Sequence, residues 1–355
     1  MRPPLRIALI ASSRFAIREP FAGGLEAHTW ALALGLRRRG HDVTVFAGAG
    51  CDPALGVHEL SAARPRISDA ARADVSMPAE AWLDEHHAYL QLMLELADRG
   101  RADFDVVHNN CLHYLPIAMA RAVPIPMIST LHTPPTPWLE SAVQAGPCPV
   151  IFAAVSQHTS RAWRHAIPAI RVISNGVDLD RWRPGPGGGP TLWMGRLVPE
   201  KGADLAIQAA RRAGQPLDLV GPIADRDYYA ARVEPLLGGG VRYLGHLTHD
   251  ELAIRLGRAR ACLVTPRWDE PYCLVAAEAL ACGTPVCGFA RGALPELLDD
   301  RCAVLTEPDD VEALSAGLLA AARLPRAAAR EHAVAHCSQD QMISRYEDLY
   351  HEVAA

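Results

Sequence analysis

Short apolar runs alternate with longer stretches whose apolar positions recur every three or four residues, along nearly the whole chain. The runs Arg6–Ala11, Asp42–Phe46, Phe104–His108, Met127–His132 and Val150–Ser156 predict strands buried on both faces. Between them Leu25–Arg39, Trp82–Arg99 and Gln157–His165 carry helical spacing, and Gly40 stops the first of these. Residues 51–80 show little periodicity and read as loop, whereas Val172–Asp178 reads as a strand and turn. Arg183–Pro190 is so dense in Pro and Gly that it cannot pack a core, which makes it the linker. Beyond it the alternation resumes, with strands at 191–194, 217–220, 241–244, 261–265, 285–289 and 303–305. Helices fall at 203–213, 226–236, 249–258, 272–281, 295–298 and 310–322, and Gln339–Val353 is helical again. Strand–helix alternation builds parallel sheets. The predicted class is α/β, with two doubly wound domains, 1–183 and 184–338, facing across a cleft.

Composition narrows the reading. A chain of 355 residues, half of them apolar, suits about two cores, and a net charge of −5 disfavours a nucleic-acid binder. Nine cysteines without a C-x-x-C spacing predict reduced core thiols and a cytoplasmic protein. With no apolar run of 18 residues, and with Met1–Pro4 leading straight into a strand, neither a membrane span nor a signal peptide is expected. The polar side of helix 82–99 bears Asp84, Glu85, Glu95 and Asp98, so its apolar side reads as core in preference to a membrane-docking face. Of 35 basic residues only Lys201 is lysine. Against that bias it asks for a local reason.

The densest chemistry lies at 262–288, a strand, loop, helix, strand unit. Glu270 precedes the helix, Glu278 stands two turns inside it, and the N–H groups of Cys273, Leu274 and Val275 point out of its start. A helix N-terminus attracts phosphate or a polar sugar, and a carboxylate can accept both hydroxyls of a diol. Two solvated acids on an amphipathic helix would show the same spacing. Glu270-Pro-Tyr-Cys-Leu-Val-Ala-Ala-Glu278-Ala-Leu-Ala-Cys-Gly-Thr-Pro-Val286, however, resembles the E-x7-E signature of the retaining nucleotide-sugar glycosyltransferases of GT-B fold, the glycosyltransferase 4 family. That resemblance implies Glu270 on the donor sugar and Glu278 on the nucleotide ribose. Where many members have Phe-Gly, this chain has Tyr272-Cys273.

Other segments extend the resemblance. Gly23-Gly24 at a helix start lets backbone approach a phosphate, although a Gly pair alone is commonly a turn; Gly23-Gly24-Leu-Glu-Ala-His resembles the family segment facing the donor diphosphate. No G-x-G-x-x-G follows the first strand, which disfavours a dinucleotide enzyme. Gly195-Arg196-Leu-Val-Pro-Glu-Lys201-Gly is similar to the family's diphosphate-binding turn, implying Arg196 and Lys201 on the diphosphate. His132, in Leu-His-Thr-Pro, is implied to touch the transferred sugar, and backbone near Leu247 to meet the base. His108 also ends a strand, and a structural and an acceptor-side role both stay open. Val172-Ile-Ser-Asn-Gly-Val-Asp178 resembles the family's joint region, with Ser174 in place of Pro. Asp178-x-Asp180, Asp225-x-Asp227 and His246-x-x-His249 lack the context of a metal site. No metal and no cofactor are expected, the nucleotide sugar being a substrate. The resemblance also implies that helix 339–355 packs back on the first domain. The chain thus reads as a metal-independent hexosyltransferase using a nucleotide diphosphate sugar, by family frequency a UDP-sugar, and an unidentified acceptor. A GT-B nucleotide-sugar epimerase and a non-enzymatic sugar-binding protein are the rival readings.

Overall fold

A computed structural model describes residues 3–60, 65–77 and 79–355. The first sheet starts with β1 (Arg6–Ile10), α1 (Gly24–Arg38), β2 (Asp42–Ala47) and β3 (His58–Glu59). It continues through α2 (Asp69–Arg72), α3 (Glu80–Asp103), β4 (Val106–Asn109), α4 (Leu115–Ala118) and β5 (Met127–Leu131). α5 (Pro137–Gln144), β6 (Ile151–Ala154), α6 (Gln157–Trp163) and β7 (Ile170–Val172) complete it. Among the described residues the order is β3-β2-β1-β4-β5-β6-β7, all parallel. The stretch 51–80, expected as loop, contributes the edge strand β3, the short helix α2 and the start of α3. Residues 61–64 and 78 of that stretch lie outside the described residues.

The second sheet begins with β8 (Thr191–Met194), α7 (Ala203–Arg212), β9 (Leu217–Val220), α8 (Arg226–Tyr228) and β10 (Val241–Tyr243). There follow α9 (His249–Arg258), β11 (Cys262–Val264), α10 (Leu274–Ala281), β12 (Val286–Phe289), α11 (Leu294–Leu297) and β13 (Ala303–Thr306). α12 (Val311–Ala321), α13 (Arg326–His336) and α14 (Gln339–Ala354) end the chain. The order here is β10-β9-β8-β11-β12-β13. The helix expected at 226–236 is a composite: one α turn passes into a π segment at 229–233 and a 3-10 turn at 234–236. Pro235 supplies no N–H at that point and its ring crowds the preceding turn, so a regular ladder cannot run through. α4, α5 and α13 were not anticipated. The first two are short, and all three begin at or beside a proline.

Burial follows the apolar runs, with Ile7, Leu9, Ile10, Leu192, Leu263 and Val286 inside the sheets. In both sheets the order reverses beside the first strand, between β1 and β4 and between β8 and β11. Loops leaving the C-terminal ends of those neighbours diverge and open a crevice there. The two crevices face one another.

The chain returns to the first domain at its end. Val177 pairs with Ser338, and at Gly176 a Cβ would lie 2.5 Å from the backbone of Gln339, so this crossing tolerates no side chain. α14 then packs on α1, burying Ile343, Tyr346 and Tyr350 in the first-domain core. His108 lies beneath it, bonded through Nδ1 to Tyr350 Oη at 2.7 Å and through Nε2 to Thr130 Oγ1 at 2.8 Å. Fully buried and partnered on both nitrogens, His108 is a structural residue that fastens α14. No described helix is long and apolar enough to cross a membrane.

Candidate active site

The cleft between the two crevices holds about 440 Å³ and draws its walls from both domains. Every candidate from the sequence lines it: Gly23, Gly24 and His132 from the first domain, and Gly195, Arg196, Lys201, Leu247, Glu270, Cys273, Leu274, Val275 and Glu278 from the second. His108 does not.

Glu270 stands on the loop after β11, just ahead of α10. Its Oε1 accepts from Lys201 Nζ and, at 3.1 Å, from Trp268 Nε1, while Lys201 Nζ lies 5.1 Å from the Trp268 ring centroid. Lys201 and Glu270, assigned separately to diphosphate and sugar, therefore form one ion pair in the unliganded protein. Oε2 meets no protein donor among the described residues and is left for a ligand. Two neighbours hold this arrangement. Thr265, directly after β11, donates from Oγ1 to the Gly202 carbonyl at 2.8 Å and accepts from Trp193 Nε1 at 3.0 Å, which fixes the lysine turn against the strand. Gly292, at φ +63°, lets the next loop touch the Glu270 backbone, where a Cβ would fall 2.3 Å from the Glu270 nitrogen. Sequence reading passed over Trp268, Thr265 and Gly292, since each acts through a neighbour distant along the chain.

α10 begins at Leu274, two residues later than expected, because Cys273 adopts φ 79°, ψ 75°. A side chain in this left-handed region is disfavoured by roughly 1–2 kcal/mol, which gives a physical reason for the glycine that family members carry there. The strained turn keeps the amides of Cys273, Leu274 and Val275 without protein acceptors among the described residues, so all three remain donors. Burial pushes the Cys273 thiol up to about 12, so it stays protonated.

Glu278 projects from the second turn of α10 and is 5 % exposed, and its carboxyl has no hydrogen-bond partner among the described residues. Burial alone raises its carboxyl to about 8. A carboxyl held this way without protein donors marks a position for hydroxyl donors from a ligand.

Across the cleft, the Gly23-Gly24 corner already contains a carboxylate. Glu26, in the first turn of α1, is buried, and its Oε2 lies 3.2 Å from where a Gly23 Cβ would be. Burial raises the Glu26 carboxyl, while Arg196 opposite lowers it. Arg196 reaches Glu200 at 3.6 Å and is 38 % exposed, free to turn to an anion. His132 Nε2 bonds Asn110 Oδ1 at 2.9 Å, and burial together with His28 and His108 holds its pKa well below the ordinary value. It is a neutral imidazole at pH 7, suited to hydrogen bonding.

The acidic and histidine pairs set aside for metal serve other ends. Asp178 Oδ1 accepts from Asp180 N, Asp225 caps α8, and His246 Nε2 donates to the Phe21 carbonyl across the cleft. His249 packs against Phe21 and Trp182 at ring separations of 4.9 and 5.2 Å.

Two doubly wound domains whose strand ends face across a cleft, with cations, free amides and a buried acid on the second, define a GT-B glycosyltransferase. Residues 22–181 match the family described as Glycosyltransferase Family 4, and residues 189–334 that described as Glycosyl transferases group 1. The chain belongs to this family of glycosyltransferases. It is 30% identical to a glycogen synthase of Mycobacterium tuberculosis, over 87% of this chain and 84% of that protein. With a D-inositol 3-phosphate glycosyltransferase of Mycobacterium bovis it shares 30% identity over 84% of this chain and 71% of the relative. Among solved structures, a sucrose-phosphate synthase from Thermosynechococcus elongatus superposes with a TM-score of 0.77 at 21% identity, covering 99% of both chains. The Anabaena protein HepE, solved with UDP-glucose, gives 0.75 at 16% identity, covering 98% of this chain and all of the other.

Proposed function

We propose that this enzyme transfers a hexose from a UDP-sugar to an acceptor hydroxyl, with retention at the anomeric carbon and without a catalytic metal. The observation that carries the reading is the second-domain wall: Arg196, Lys201, three unpaired helix amides and the buried Glu278 within one cleft. Arg196, Lys201 and the start of α10 take the diphosphate, Glu278 accepts the two ribose hydroxyls, and the free Oε2 of Glu270 accepts from the sugar. Backbone near Leu247 meets the base, and Gly23-Gly24 with His132 close over the sugar from the first domain. As the bond from the anomeric carbon to the β-phosphate oxygen breaks, fixed cations and helix amides meet the negative charge that develops, replacing what a divalent ion supplies elsewhere. The glycogen synthase relative and the UDP-glucose held by HepE support a UDP-sugar donor. The inositol phosphate relative shows that the same family serves unlike acceptors, so the acceptor is left as a hydroxyl of unassigned origin. The nine thiols, none in a disulfide, suit a reducing cytoplasm.

The test is UDP release from a panel of UDP-hexoses, with and without oligosaccharide and sugar-phosphate acceptors, followed by proton NMR of the product linkage. Acceptor-dependent UDP release with the donor's anomeric configuration kept supports the reading. Epimerised donor without any acceptor would establish the rival instead.

A further inference from the structure

Away from the cleft, the turn between α11 and β13 brings Asp299 and Cys302 against His332 of α13, and these three ligating atoms lie within 4.8 Å of one another. Sequence spacing hides the group, because 30 residues separate Cys302 from His332. His332 is buried, and its Nε2 bonds the Leu297 carbonyl at 2.8 Å. That bond places a proton on Nε2, so a ring carrying one proton presents its lone pair at Nδ1, the arrangement a metal-bound histidine ordinarily has. Nδ1 is buried without a hydrogen-bond partner among the described residues, and it faces Asp299 Oδ2 at 3.4 Å. A lone pair opposite a carboxylate oxygen is repulsive unless a proton or a metal ion lies between them, and the buried Cys302 thiol beside both atoms favours the metal. Ligand atoms about 2.0–2.1 Å from a tetrahedral zinc stand about 3.3–3.4 Å apart, which matches this separation. Cys302 Sγ, now donating to the Asp299 carbonyl at 3.4 Å, supplies a third, softer ligand.

We infer that Asp299, Cys302 and His332 form a zinc-binding site, with water in the fourth position. Sulfur, imidazole and carboxylate together select zinc over the hard cations Mg²⁺ and Ca²⁺. On binding, the thiol releases its proton to solvent and sulfur binds zinc as thiolate. Arg301, whose exposed guanidinium now holds Asp299 Oδ2 at 2.7 Å, is displaced toward Oδ1 or solvent. The ion would pin α13, the last helix before the chain crosses back to the first domain, to the edge of the second sheet.

His41, Glu347 and His351 form the other cluster of ligating atoms, and it fails the same criterion. His41 Nδ1 accepts from Leu5 N at 3.1 Å, so its neutral ring carries the proton on Nε2, which donates to Glu347 Oε1 at 3.1 Å. No lone pair on His41 is left for a metal.

The experiment titrates Zn²⁺ into the full-length chain after chelator dialysis, in competition with a chromophoric chelator, and repeats the titration with Co²⁺. One ion per chain is expected, with a rise in Tm of about 5 °C or more at saturation and a thiolate-to-cobalt charge-transfer band. Cys302→Ser and His332→Ala should each lose the band and the stoichiometric zinc, while His351→Ala keeps both. A wild-type protein that shows no charge-transfer band overturns the site whatever the variants do. So does zinc binding that survives both substitutions.

Discussion

Glu278→Gln tests the buried acid without any ligand. The carboxyl is raised by burial from its ordinary 4.5 to about 8, so the folded chain binds a proton there that the unfolded chain has released. A group whose folded pKa is raised contributes stability that is complete below the unfolded value and lost as pH climbs through the folded one. Taking those two values, the contribution is about 4 kcal/mol at pH 5 and well under about 1 kcal/mol at pH 8. Wild type should therefore lose about 3 kcal/mol more than Glu278→Gln between pH 5 and pH 8, a difference of roughly 4 °C in melting temperature. His28, His108 and His249 are held neutral by burial, at about 4, 3 and 4, and add the opposite slope in the acid range. They are common to both proteins and cancel in the difference. Melting curves for the pair at half-unit steps from pH 5 to 8 give the result directly. Parallel curves would refute the reasoning, because they would mean Glu278 is ionised and solvated in the fold.

Lys201→Arg should lower transfer at least about tenfold, roughly 1.4 kcal/mol, since a forked guanidinium does not fit the point-charge contact that Glu270 Oε1 and Trp268 shape. Lys201→Ala strands the buried Glu270 carboxylate as well, so its melting point should fall by the equivalent of about 3 kcal/mol; unchanged kinetics and melting for both variants would sink the assignment. At position 273 the usual preference reverses: Cys273→Gly should be at least as stable as Cys273→Ala, because only glycine adopts φ 79° freely, and an alanine variant more stable by about 1 kcal/mol would contradict the strained turn. Initial transfer rates should hold in excess EDTA even where the chelator lowers the melting point by stripping the α13 site, and a rate lost in EDTA and restored by Mg²⁺ or Mn²⁺ would contradict charge neutralisation by Arg196, Lys201 and helix amides.

How far the chain could be read depended on how local each signal was. Strands 191–194 and 217–220 and helix 249–258 were legible to the residue, because apolar runs bounded by Pro, Gly or a Thr248–Glu251 capping box state their own limits. The composite helix at 226–236 was not, since a single Pro235 redirected a pattern that otherwise looked helical. All twelve candidate site residues line one cleft, because the motifs carrying them sit at the loops after β1, β5, β8, β10 and β11 that the strand order brings together. What the sequence could not show was pairing at a distance. Lys201 against Glu270, Glu26 opposite Arg196, and His332 against Asp299 each join residues whose separation along the chain carries no period. His108 looked the same as His132 in sequence, each ending a strand, and only α14 arriving over it from the far end of the chain decides its role.

The central claim is that the second-domain wall binds a nucleoside diphosphate, with ribose and sugar read by different carboxylates. Isothermal titration of UDP, GDP and UDP-glucose into wild type, Glu278→Gln and Glu270→Gln addresses it most directly. UDP should bind wild type and Glu270→Gln alike, bind Glu278→Gln at least about tenfold more weakly, and tighten about fivefold on wild type from pH 7 to 8 as Glu278 ionises. If no nucleoside diphosphate binds wild type, or if the two variants lose UDP equally, the account of the cleft is wrong.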